Sequence, residues 1–179
     1  MGNSTSSDKR VSDINAESAR PRVIVAEDEA LIRLDLVELL EDQGYEVVAQ
    51  ASDGEEAVSL ARELEPDLVV MDVKMPKMDG ITAADKIAEE RICAVVMLTA
   101  FSQRDLIERA KEAGAMAYVV KPFDVSDVVP AIEIALARFQ EIRAVEDEIA
   151  DLEERLESRK LVDQAKGMLQ SSLGLTEPE

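Results

Sequence analysis

Residues Leu68–Gly80 read LVVMDVKMPKMDG. Four apolar residues run directly into a carboxylate, Asp72, and the chain then turns through Met75-Pro76 to Asp79-Gly80. An unbroken apolar run is what a strand covered on both faces requires, so an acid at its end either sits at the sheet's rim or is buried at real cost. The stretch therefore predicts a central parallel strand that delivers Asp72 to one edge of a sheet.

Working outward, further short β-branched runs appear at Arg22–Ala26, Tyr45–Ala49, Asp67–Met71, Ile92–Leu98 and Met116–Val120. They have the length and composition of strands. Between them the spacing predicts helices. One covers Ala30 to Glu41 and stops before Gly44; a second opens at Asp53-Gly54 and closes before Pro66; a third opens at Asp79-Gly80. A fourth is capped by Ser102 and followed by Gly114. Five alternations of strand and helix predict an α/β fold, a parallel sheet with helices on both faces.

The fifth helix differs. Pro130 falls in its first turns, where a missing N–H is tolerated, and the next breaker is Gly167. Ile142, Val145, Ile149, Leu152 and Leu156 step by three and four among charged neighbours, a heptad seam that a second copy of the chain would complete. A long helix folded back on its own domain is the other reading. After Leu156 the register fails at Arg159 and Lys160 and resumes out of phase at Val162, Ala165 and Leu169, so a new unit is expected there.

The chain has 179 residues and is 46% hydrophobic, enough to fill one core. Its 39 acidic and 20 basic residues give a formal charge of -19, which is no footprint of a nucleic-acid protein. The single cysteine, Cys93, lies in the apolar run ICAVVML and reads as a core thiol in a reducing cytoplasm. No stretch approaches the ~20 apolar residues of a membrane span, and the N-terminus lacks the apolar core of a signal peptide. Met1 to Ser6 matches the bare myristoylation pattern, but residues 1–20 are polar and read as a disordered tail.

In an open parallel sheet, ligand sites form beyond the carboxyl ends of the strands. Just past or at those ends stand Glu27 and Asp28, then Asp72, then Thr99, then Lys121-Pro122. Three carboxylates brought together repel one another unless a hard divalent cation with oxygen ligands joins them, and Mg²⁺ fits that role. Taken singly, each residue has a plainer reading: a helix cap for Glu27 and Asp28, an ordinary strand residue for Thr99, a solvated charge for Lys121. Their arrival together at one edge is what gives them weight.

This set, with 44 positions from Asp28 to Asp72 and 22 from Thr99 to Lys121, resembles the receiver domain of two-component response regulators over residues 21–137. The resemblance implies a flavodoxin-like, doubly wound five-stranded fold. It implies Asp72 as phosphoacceptor, and Mg²⁺ held by Glu27, Asp28, Asp72 and the backbone carbonyl of Lys74. Thr99 and Lys121 would contact the phosphoryl oxygens, Thr99 and Tyr118 would form a switch pair, and Lys121-Pro122 would be a cis peptide. Tyr118 also reads as an ordinary half-buried strand tyrosine. The sequence contains no histidine, so the donor implied is a separate sensor histidine kinase or phosphotransfer protein.

The C-terminal segment contains Arg159-Lys-Leu-Val162, Gln164-Ala-Lys-Gly-Met-Leu169 and Gly174-Leu-Thr-Glu177. It resembles the start of the ANTAR domain, a three-helix RNA-binding output that prevents transcription termination. That implies a hairpin-loop RNA partner contacted by Arg159, Lys160 and Lys166, cations that also read as a solvated helix face. The family pattern continues for two more helices, whereas this sequence stops near a helix start at Thr176, so the resemblance covers part of the domain. The expected organisation is a tail over 1–20, a receiver over 21–137, a coiled-coil linker over 138–157 and an incomplete all-α ANTAR segment over 158–179.

Two other functions compete. A stand-alone phosphoacceptor that dimerises through its coiled coil would act only through protein partners. An aspartyl-nucleophile phosphatase typically needs a second acid two residues after the first, and Lys74 occupies that place. A regulator rather than a turnover enzyme is the expectation, and no helix-turn-helix pattern for DNA follows the receiver.

Overall fold

The computed structural model describes residues 19–100 and 104–173. Five strands, β1 (Arg22–Ala26), β2 (Glu46–Ala51), β3 (Leu68–Asp72), β4 (Ala94–Thr99) and β5 (Ala117–Val120), form one sheet in the order β2-β1-β3-β4-β5. Every neighbouring pair is parallel. The helices are α1 (Ala30–Asp42), α2 (Gly54–Leu64), α3 (Gly80–Glu89), α4 (Arg104–Glu112) and α5 (Val125–Leu173). The expected cap of the fourth helix, Ser102, the N-terminal tail through residue 18 and the segment Gly174 to Glu177 lie outside the described residues.

All five residues of β3 and all six of β4 are buried, as central strands with two covered faces must be. On one face Ile24, Val69, Met71, Val95 and Met97 pack with Ala57, Ala61, Ala84 and Ile87 of α2 and α3. The alternating residues Val23, Val25, Leu68, Val70 and Leu98 are equally buried, as are Leu36 and Leu40 of α1 and Val128 and Ile132 of α5. Each such Leu or Ile contributes roughly 1.5–3 kcal/mol relative to exposure. Asp53 and Asp79 cap α2 and α3, accepting hydrogen bonds from the Glu56 and Thr82 amides at 2.8 and 2.7 Å.

The chain divides into two compact units, Met1–Leu136 and Ala137–Glu179. Within the first, Val128, Ala131, Ile132 and Ala135 of α5 are buried. In the second, α5 runs without a break through Gly167 to Leu173. The sequence reading anticipates a breaker at Gly167; one glycine costs a helix only about 1 kcal/mol, too little to stop one this long. Among the described residues, no helix is long and apolar enough to cross a membrane.

Candidate functional site: an acidic cluster at the sheet edge

Strand register assembles the site. Ala26 pairs with Met71, so the next residues, Glu27 and Asp72, emerge side by side. Asp72 pairs with Leu98, and Thr99 with Val120, which brings Thr99 and then Lys121 to the same rim. The Lys121 amide donates to the Thr99 carbonyl at 2.7 Å, extending the ladder one residue past β5. The Lys121-Pro122 bond is cis. This edge lies where the strand order reverses between β1 and β3, the place at which open α/β sheets bind ligands.

Ligand oxygens of Glu27, Asp28 and Asp72 all lie within 4.8 Å of one another. Glu27 is fully buried, Asp72 and Thr99 are buried, and Asp28 is exposed. Lys121 answers two of them: its Nζ donates to Glu27 Oε2 at 2.8 Å and to Asp72 Oδ2 at 3.0 Å. Burial pushes the Glu27 carboxyl up to about 7; Lys121 opposes that rise, and the charge of Asp72 adds to it. Burial would lower Lys121, but its bonds to Glu27 and Asp72 hold it above the ordinary lysine value. Two buried acids thus share one ammonium and an exposed third, Asp28, stands beside them, a donor set that fits a hard divalent cation with room left for water or phosphate oxygens.

Lys74 is exposed on the loop after β3, and Tyr118, on β5, is 44% exposed. A groove beside Asp28 is lined by Val73, Lys74, Met75, Pro76, Leu106 and Arg109. In the second unit, Ile142, Val145, Ile149, Leu152 and Leu156 are exposed, and so are Arg159, Lys160 and Lys166.

Three positioning contacts escape sequence reading. Arg33 of α1 donates to the Glu27 carbonyl at 2.7 Å and to Gln50 at 3.3 Å, pinning the turn that carries both N-terminal acids. The Glu29 amide donates to Glu27 Oε1 at 3.2 Å. Gly80 lets α3 abut the site strand, because a Cβ there would meet the Asp72 carbonyl oxygen at 2.0 Å. Only the glycine left a signal, the Asp-Gly pair, which reads as a helix start alone.

Residues 23–133 match the response regulator receiver domain family, and residues 150–179 match the ANTAR domain. The chain belongs to the response regulator family. Over 166 residues this response regulator is 63% identical to the transcriptional regulatory protein PdtaR of Mycobacterium tuberculosis, covering 92% of this chain and 81% of that protein. Its fold is similar to the receiver domain of NarL from the same organism, with TM-score 0.63 and 27% identity over 66% of this chain and 97% of that one. It is also similar to the CheX-CheY-BeF3-Mg complex of Borrelia burgdorferi, with TM-score 0.60 and 29% identity over 66% and 92% of the respective chains.

Proposed function

We propose that Asp72 accepts a phosphoryl group from a phosphohistidine on a partner sensor kinase, and that this acceptance controls an ANTAR output that binds hairpin-loop RNA and prevents transcription termination. The observation that carries the reading is the Lys121 ammonium held between Glu27 and Asp72 at the rim of the sheet. A carboxylate oxygen of Asp72 forms the new O–P bond as the donor's N–P bond breaks. Lys121 is within reach of the charge that develops on the phosphoryl oxygens, and the Thr99 hydroxyl, at the end of β4, meets another of them.

Glu27, Asp28, Asp72 and the Lys74 carbonyl would hold Mg²⁺, which supplies the remaining charge neutralisation when bound. The structurally similar CheY complex contains Mg and BeF3, which supports the same set here. Thr99 and Tyr118 serve as the switch pair; the Tyr118 ring, half-exposed rather than locked in the core, swings inward as the Thr99 hydroxyl turns to the phosphoryl group. The chain acts as acceptor and regulator rather than as a turnover enzyme, in the cytoplasm, where its partner kinase signals. Residues 21–137 form the acceptor, 138–157 a coiled-coil linker that pairs two copies, and 158–179 the beginning of the RNA-binding output, with Arg159, Lys160 and Lys166 as phosphate contacts.

Acetyl phosphate in the presence and absence of Mg²⁺ tests the site. Wild-type chain should incorporate label only with the cation, and equal labelling of Asp72→Asn would sink the assignment. A gel shift with a hairpin-loop RNA at low salt tests the output on the phosphorylated protein carrying a complete ANTAR domain, and no shift there removes the antitermination reading.

A further inference from the structure

Within its own unit the line Ile142, Val145, Ile149, Leu152 and Leu156 stays between 48% and 57% exposed, more apolar surface than a lone helix leaves in water without a partner. We infer that its cover is a second copy of the chain running antiparallel, with Val145 on Leu156 of the second copy and Ile149 on Leu152 of the second copy. This rests on the dimer reading above and adds its direction.

Charge chooses that direction. In a parallel pair the residues flanking the seam meet roughly five positions apart, so Glu148 would face Glu153 of the second copy and Arg155 would face Lys160 of the second copy. Arg159, Asp163 and Lys166 fall at seam positions, where a parallel partner would set each against its own counterpart. Every one of these meetings is like on like. Antiparallel pairing sets Glu148 against Arg155 of the second copy, twice by symmetry. It also lays the methylene stem of Arg159 of the second copy over Ile142, with its guanidinium beside Glu141. One kind of like pair remains, Glu146 with Glu153 of the second copy, also twice by symmetry, and one apolar layer of the five is given up.

The same helix carries a second exposed apolar stripe, Leu161, Val162, Ala165, Met168 and Leu169. At about 100° per residue it lies about 180° round from the seam, and it begins beyond the antiparallel overlap. Pairing through the seam therefore leaves this stripe, which lies within the output segment 158–179, uncovered on each copy.

Sedimentation equilibrium of the full chain compares wild type with Glu148→Arg, Arg155→Glu and the double exchange. Each single variant should weaken dimerisation by about fivefold, and the double should return to within about twofold of wild type. In a parallel dimer each single change replaces repulsion with attraction, so tighter pairing, or no change, in either single variant overturns the orientation. A wild-type chain that stays monomeric overturns instead the dimer reading beneath it. Cysteine cross-linking gives an independent measurement, because Cys93 is buried and its thiol is pushed up to about 12, leaving an unreactive background. Mixed Val145→Cys and Leu156→Cys chains should form the mixed disulfide on oxidation, while ready self-linking of Val145→Cys overturns the proposal.

Discussion

Lys121, one residue past β5, reaches 2.8 Å to the Glu27 carboxylate, one residue past β1, across the ends of β3 and β4. The bond closes a charge circuit at the rim of the sheet, since the same ammonium also holds Asp72 at 3.0 Å. Lys121→Met should therefore separate two effects. Label incorporation from acetyl phosphate should slow by about 10²-fold, because a preorganised cation is lost where charge develops. Mg²⁺ should bind several-fold more tightly, because the competing cation is gone from the same carboxylates. Calorimetric titration checks the second effect, and a weaker affinity would show that Lys121 assists metal binding.

Glu27 sets a pH dependence. Its folded pKa of about 7 lies above the ordinary value of 4.5, so between these limits the folded state holds more protons than the unfolded one. Stability from this group is fully present below about 4.5 and is lost as pH rises through about 7. In EDTA, urea midpoints at pH 5.5 and 8 should differ less for Glu27→Gln than for wild type. Divalent cation affinity runs the other way, weakening as pH falls below about 7, because the proton competes for the ligand oxygen.

Two glycines should respond oppositely to alanine. At Gly80 the new Cβ would collide with the Asp72 carbonyl, an atom of the site strand, so Gly80→Ala should cost about 2–4 kcal/mol and slow phosphoryl acceptance. At Gly167 nothing lies within 4 Å, so Gly167→Ala should strengthen its helix by about 0.5–1 kcal/mol, read as a gain in helical circular dichroism on heating.

Asp53 is a buried cap whose carboxylate accepts from the Glu56 amide, a bond that holds its carboxyl below the usual range. Asp53→Ala should cost about 1 kcal/mol by chemical denaturation, and Asp53→Asn should recover most of it by keeping the accepting oxygen.

Much of this architecture was legible from the residues because period and punctuation agree. The β-branched runs gave all five strands, and Asp-Gly pairs opened two helices at the residues where Asp53 and Asp79 now cap them. β3 ends on Asp72 itself, one residue past the expected Met71, because register with Leu98 continues the ladder to the acid. β2 also runs two residues further than its apolar signal, through the polar Gln50 to Ala51. Arg33 was invisible because a basic residue on an amphipathic helix looks solvated; only the fold brings the Glu27 carbonyl to it. The length of α5 was misjudged at Gly167, where propensity is a weak guide against forty-eight other helical residues.

The bond between Glu27 and Lys121 joins positions 94 residues apart. No fragment lacking β1 or β5 can assemble the charge circuit, so the proposed phosphoryl-accepting site is complete only when both strands are in the sheet. On that proposal, labelling at Asp72 doubles as a count of molecules whose first unit is folded, whatever the state of the second.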